Sequence, residues 1–222
     1  CMKIKKFNKN INILNKKFKN PISCLTAYTP SVANILDGNV DMILVGDSLG
    51  STLYGMKNTQ GVTLNMMKTH GLAVTKNVKK SITVIDMPYK TYENKKDALK
   101  NAVDILNYTN ANLIKNEINK KKLNILKNLV ENKINVIAHI GVTPQSYKDF
   151  SKIKVIGNSS DEREELVKLA IEIENFGAKA ILLECITEQS AKLITSSVKI
   201  PTIGIGASKY CDGQVLVFDD LV

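Results

Sequence analysis

The sequence predicts a TIM-type (βα)8 barrel. Three observations lead there. Eight short apolar runs recur along the chain, at 22–27, 41–47, 82–87, 112–116, 134–140, 179–184, 200–205 and 214–219. They are mostly continuous rather than alternating, as expected of parallel strands covered on both faces. Helical stripes fill most of the intervals, and alternating strands and helices give a parallel α/β architecture. Ionisable residues also close five consecutive runs, at the strand ends where a barrel builds its active site.

Each element has a local reason. Thr29-Pro30 opens a short helix that ends at Gly38. Residues 96–109 carry Ala98, Leu99, Ala102 and Leu106 on one face, and 120–132 carry Leu123, Leu126, Leu129 and Val130. The clearest helix is 162–176, with Asp161 as its cap, Glu164 at the reciprocal capping-box position and Gly177 as its stop. Its stripe is Leu166, Leu169, Ala170 and Ile173. The rival is an open doubly wound sheet. No G-x-G-x-x-G follows the first run, and no P-loop is present. Only about one helical turn fits between the last two runs, and no helix follows the eighth. The expected organisation is a Lys/Asn-rich segment over 1–20 and one barrel over 21–222, short of its C-terminal helical segment. Two long segments, 48–62 and 142–160, follow the second and fifth strands, and loops of that length are commonly functional.

Charge excludes some functions. The net charge is +10, yet Arg163 is the only arginine among the 31 basic residues. Arginine forks read bases and phosphates, so a nucleic-acid partner is not expected. Residues 1–20 hold seven lysines and no acid; the rest of the chain is near balance, at +3. No apolar run approaches the roughly 20 residues that span a bilayer, and residues 1–20 lack a signal-peptide core. Cys1, Cys24, Cys185 and Cys211 form no C-x-x-C pair, which argues against zinc and for a reducing, cytoplasmic setting. His70 and His139 are the only histidines, too few for a multi-histidine metal site.

The candidate chemistry lies at the strand ends: Asp47 in V-G-D-S, Asp86 in I-D-M-P, Lys115 and Glu117 in I-K-N-E, His139 in A-H-I-G and Glu184 in L-E-C. Each has a plainer reading. Taken alone, Asp47 reads first as a turn cap and His139 as a bonded core histidine, while Asp86 can be a strand-end cap and Lys115 with Glu117 a loop ion pair. Glu184 is harder to dismiss, because an unpaired buried carboxylate is very costly. Convergence on one mouth favours function. Hard carboxylate oxygens suit Mg²⁺, which binds one or two of them and leaves room for substrate and water. A 2-oxo acid can chelate such an ion. The ion then stabilises an enolate formed by proton loss to a spare carboxylate, while Lys and Ser donors hold the substrate carboxylate.

At these same residues the chain resembles the ketopantoate hydroxymethyltransferases. The resemblance runs from about residue 22 to the end. It rests on L-T-A-Y at 25–28, I-L-V-G-D-S-L-G at 43–50, D-M-P at 86–88 and I-K-N-E at 114–117. It continues through H-I-G-V-T-P-Q-S at 139–146, L-L-E-C at 182–185, I-P-T-I-G-I-G-A at 200–207 and D-G-Q-V-L-V at 212–217. It implies a barrel of the phosphoenolpyruvate mutase and isocitrate lyase type. It also implies transfer of a hydroxymethyl group from 5,10-methylenetetrahydrofolate to 3-methyl-2-oxobutanoate through a Mg²⁺-stabilised enolate, in pantothenate synthesis. By the same resemblance Asp47, Asp86 and Glu117 hold the metal, and Asp47, Ser48, Asp86, Lys115 and His139 meet the substrate. Glu184 accepts the proton. Family members are homo-oligomers, often decamers.

The chain departs from the family pattern at Met56, Gly61, Asn116, Ile118 and Asn119, and through 151–158. These changes touch the surroundings of the named positions and leave the positions themselves intact. Two other readings stand beside the transferase. One is a related carbon–carbon lyase or mutase; those often carry a loop cysteine, and neither long segment has one. The other is an inactive remnant, or a basic protein that binds RNA through its lysine-rich start.

Overall fold

A computed structural model of the chain describes residues 11, 14 and 20–222. The expected 1–20 segment therefore lies almost wholly outside the described residues. Eight parallel strands close into a barrel in sequence order: β1 (Ile22–Thr26), β2 (Met42–Val45), β3 (Ile82–Asp86), β4 (Leu113–Glu117), β5 (Val136–Gly141), β6 (Ala180–Glu184), β7 (Thr202–Ile205) and β8 (Gly213–Leu216). β8 pairs with β1 to close the ring. Every strand falls on one of the eight apolar runs, so the barrel was legible and the open sheet is excluded.

Among the described residues seven α-helices accompany the strands: α1 (Pro30–Leu36), α2 (Leu49–Thr52), α3 (Leu64–Thr75), α4 (Lys95–Thr109), α5 (Leu123–Glu131), α6 (Ser160–Asn175) and α7 (Glu188–Ser197). α1 is capped as expected, with Thr29 accepting from the Val32 amide and Pro30 in the first turn. α4 is capped by Asn94 and ends at Asn110, whose φ of 67° puts it in the left-handed region. The expected 120–132 helix divides into a 3-10 turn at Lys120–Lys122 and α5.

The capping box of α6 is a correction. Ser159, not Asp161, is the cap; its hydroxyl accepts from the Glu162 amide, and the Glu162 carboxylate reaches back to the Ser159 amide. Ser159 adopts the extended conformation a cap needs, so the helix starts earlier. Asp161 and Glu162 then lie in the first turn, where negative charge meets the positive end of the helix dipole. Glu164 pairs instead with Lys168 at 2.6 Å. Between β7 and β8 there is no helical turn; the Asp212 carboxylate accepts from the Thr202 amide and hydroxyl and fixes that connection.

The interior is built in two tiers. Strand residues two apart face the same way. Inward-facing Ile22, Cys24, Met42, Ile82, Val84, Leu113, Ile137, Ala180 and Ile203 pack with Leu14 into an apolar lower tier. The same alternation continues upward into Asp86, Lys115, Glu117, His139 and Glu184. A second apolar cluster fills the shell between strands and helices, with Ile43, Val45, Ile85, Ile114, Ala138, Ile181 and Leu183 facing the helices.

The two long segments are knitted together. The 48–62 segment holds α2 and a 3-10 turn at Thr59–Gly61; the 142–160 segment holds 3-10 turns at Pro144–Ser146 and Phe150–Lys152. The Asn58 amide donates to the Lys148 carbonyl, and the Gln60 amide donates to the Gln145 carbonyl, both at 2.9 Å.

Candidate active site

A cavity of about 160 Å³ opens at the C-terminal end of the barrel. Asp47, Ser48, Asp86, Lys115, Glu117, His139 and Glu184 all line it, together with Thr26, Ser51, Thr59, Leu182, Pro144 and Phe150. Every site residue expected from the sequence is thus in one place. Asp47 and Ser48 sit just past β2, Asp86 ends β3, Lys115 and Glu117 close β4, His139 lies in β5 and Glu184 ends β6.

The side chains form a connected network. The Lys115 ammonium lies 3.0 Å from Asp86 Oδ1 and 3.3 Å from His139 Nδ1. Lysine only donates, so Nδ1 accepts and the remaining imidazole proton sits on Nε2. That Nε2 lies 3.3 Å from Glu184 Oε2. The Asp47 amide donates to Asp86 Oδ2 at 3.0 Å. The Ser48 hydroxyl is 2.7 Å from the Tyr28 hydroxyl, which ties the β2 loop to the end of β1.

Burial dominates the electrostatics. It pushes the carboxyls of Asp86 up to about 6, Glu184 to about 7 and Glu117 to about 8, and it raises that of Asp47. Neighbouring carboxylates add to the rise at Asp86, Glu117 and Glu184, and Lys115 opposes it at all four. Burial favours the neutral form of Lys115, but the surrounding acids outweigh it and hold the ammonium charged. Burial, then the charge of Lys115, keeps His139 neutral and far below its ordinary range. Four carboxylates therefore share one lysine.

That imbalance is one a divalent cation relieves. No cluster of three or more His, Cys, Asp or Glu stands at ligand spacing among the described residues. Magnesium does not require one, since it binds through one or two carboxylates and keeps water or substrate on its other positions. Hard oxygen donors at Asp47 and Asp86, with Glu117 beside them, fit that chemistry.

Two residues in the network were missed as functional candidates. Gln145 is buried and bonds to Asp47, Glu117 and Tyr92. It was visible only as part of the T-P-Q-S motif. Tyr92 is fully buried, and its hydroxyl accepts from the Glu117 amide at 3.2 Å; nothing in the local sequence marks it. The departures from the family pattern have distinct positions. Met56 Sδ would stand 3.1 Å from a Cβ at Gly61, so the two changed residues are neighbours. Asn119 caps the 120–122 turn through its side chain. Ile118 is buried, and Asn116 is buried with neither amide atom partnered. In 151–158, Ile156 bridges to Ile186 beside the Glu184 strand end.

Comparison with known proteins agrees with this geometry. Among solved structures, oxaloacetate acetylhydrolase superposes with a TM-score of 0.71 at 11% identity, covering 97% of this chain and 82% of that one. 2,3-Dimethylmalate lyase, a member of the PEP mutase/isocitrate lyase superfamily, gives 0.68 at 14%, covering 91% and 77%. Phosphonopyruvate hydrolase, solved with oxalate and Mg²⁺, gives 0.70 at 13%, covering 93% and 78%. These matches establish the barrel type. In sequence, the 3-methyl-2-oxobutanoate hydroxymethyltransferase of Pelagibacter ubique is 48% identical over 214 residues, 96% of this chain and 82% of the relative. That of Rhizobium rhizogenes is 44% identical over 203 residues, 91% and 74%. The family model for ketopantoate hydroxymethyltransferase matches residues 8–222, including every residue that lines the mouth, and the chain belongs to that family.

Proposed function

We propose that the chain transfers a hydroxymethyl group from 5,10-methylenetetrahydrofolate to 3-methyl-2-oxobutanoate, forming 2-dehydropantoate in the cytoplasm. One observation carries the reading: all seven expected side chains converge on one cavity in a chain of this family. Asp47 and Asp86 would hold the metal, with Glu117 completing the site. Bound magnesium supplies Lewis acidity toward the keto oxygen of the substrate. Ser48 and Lys115 hold the oxo acid by donating to its oxygens. Glu184 takes the proton from C3. Its raised pKa suits a base at neutral pH, since it exchanges protons in that range. His139 supports that carboxylate by proximity: its Nε2 lies 3.3 Å from Glu184 Oε2 and makes no hydrogen bond among the described residues. Water adds to the methylene carbon, whose two C–N bonds break with protons taken up by the folate nitrogens, and the C3 electron pair adds to the formaldehyde carbonyl so released. Its oxygen takes a proton to become the hydroxyl, leaving tetrahydrofolate as co-product.

Homo-oligomeric assembly belongs to the same proposal and is measured by light scattering. Among the described residues no helix is long and apolar enough to cross a membrane. The deciding assay is 2-dehydropantoate formation by the purified 222-residue chain with Mg²⁺, 3-methyl-2-oxobutanoate and methylenetetrahydrofolate. Product that depends on all three supports the transferase. A folded protein that makes none under those conditions refutes it, and salt-sensitive RNA binding in its place would favour the basic-protein reading.

A further inference from the structure

Gln145 is the residue that bonds to carboxylates on both sides of β3. Its side-chain Nε2 donates to Asp47 Oδ2 at 2.7 Å and to the Met87 carbonyl at 3.0 Å. Its backbone amide donates to Glu117 Oε1 at 3.0 Å. Its Oε1 accepts from the Tyr92 hydroxyl at 2.5 Å. The Tyr92 oxygen already accepts from the Glu117 amide, so its single proton goes to Gln145. The Met87 carbonyl and the Asp47 carboxylate only accept, so the amide has one consistent orientation. Its nitrogen faces Asp47 and its oxygen faces Tyr92.

We propose that Gln145, oriented by Tyr92, is a positioning residue that sets Asp47 and Glu117 for a divalent cation. The inference rests on the metal reading above. Asp47 follows β2 and Glu117 closes β4, with β3 between them, so the two carboxylates belong to separate elements. Gln145 comes from a third, the long segment after β5. One side chain and its own amide thus fix the relative placement of two oxygen ligands, and the Met87 bond references both to the end of β3. An amide is well suited to this. It donates to one carboxylate without adding charge, and its other end is held so that it cannot flip. Removing such an outer hydrogen-bond partner typically weakens metal binding about 10–100-fold.

The test uses Mn²⁺ alone as the probe, followed by its free-ion EPR signal, with Mg²⁺ as competitor. Four proteins are compared: wild type, Gln145→Met, Tyr92→Phe and Ser159→Ala. The last removes the distant α6 cap and reports what destabilisation alone does. We expect Gln145→Met to weaken Mn²⁺ binding about 10–100-fold. Tyr92→Phe should weaken it less, and Ser159→Ala not at all. In turnover, Tyr92→Phe should raise the Mg²⁺ concentration for half-maximal rate while saturating Mg²⁺ restores kcat. Wild-type affinity in both site variants would overturn the positioning role while leaving the metal reading intact. Wild type that binds no Mn²⁺ would overturn the metal reading and the role with it. If Gln145→Met does not fold, Tyr92→Phe decides alone, since it removes one oxygen.

Discussion

Gly141 and Glu184 face each other across the β5–β6 ladder so closely that a Cβ on the glycine would collide with the Glu184 carbonyl oxygen. That carbonyl accepts from the Val142 amide at 2.8 Å, and Gly141 adopts a φ of +101°. Glycine is required there for conformation and for space. The turn after β5 thus packs directly against the backbone that carries the proposed base.

Gly141→Ala should therefore cost stability and activity together. Conformational strain alone is about 1–3 kcal/mol, before the collision moves β6. Urea unfolding reads the first effect, and the C3 exchange rate reads the second. A variant with wild-type values in both would show that the backbone relaxes at no cost.

Solvent deuterium exchange into C3 of 3-methyl-2-oxobutanoate isolates the first half of the reaction. It should require Mg²⁺ and fall about 10²–10⁴-fold in Glu184→Gln, the usual worth of a positioned base. Undiminished exchange in that variant would assign the proton to another group.

Stability of the metal-free protein should fall as pH rises from 6.5 to 8. Over that range Glu184 and Glu117, at about 7 and about 8 when folded, release protons that the unfolded chain released near pH 4. A raised carboxyl contributes its stability below its unfolded pKa and loses it on passing its folded one. Buried His139 acts oppositely, but only below its ordinary pKa of about 6.5. The expected loss is on the order of 1 kcal/mol, read from urea midpoints. Added Mg²⁺ should shrink it, because a cation favours the ionised forms. A rise in metal-free stability over the same range would contradict the electrostatic account.

Asn116→Leu should stabilise the fold. The buried Asn116 side-chain amide has no partner among the described residues, and an unsatisfied buried polar group costs about 1–3 kcal/mol. The expected gain is of that size, as a higher urea midpoint with an unchanged slope. A loss of stability would mean that the amide has a partner in solution.

Much of this was legible because burial and chemistry follow simple alternation. The strands were readable as apolar runs, and the ionisable residues closing five of them marked the mouth. Helices with strong stripes, such as α4 and α5, were readable too. α3 and α7 were not assigned, because Gly71 interrupts one and serines and threonines crowd the other. The α6 cap was misplaced because Ser159 and Asp161 both have capping chemistry, and only backbone geometry chooses between them. Gln145 and Tyr92 escaped for a different reason. Their importance lies in bonds to residues 25–98 positions away, which no local pattern encodes.

The two-tier interior makes the site sensitive to a deletion in a way it is not to a substitution. Asp86, Lys115, Glu117 and Glu184 face the mouth because they share parity with inward-facing apolar residues lower on their own strands. Losing one residue low in β4 would turn Lys115 and Glu117 toward the helices and bring Asn116 and Ile118 to the mouth. No functional residue would have changed its identity. The mouth would still lose the only ammonium that lines it among the described residues and one of its four acids, and the helix layer would gain both charges.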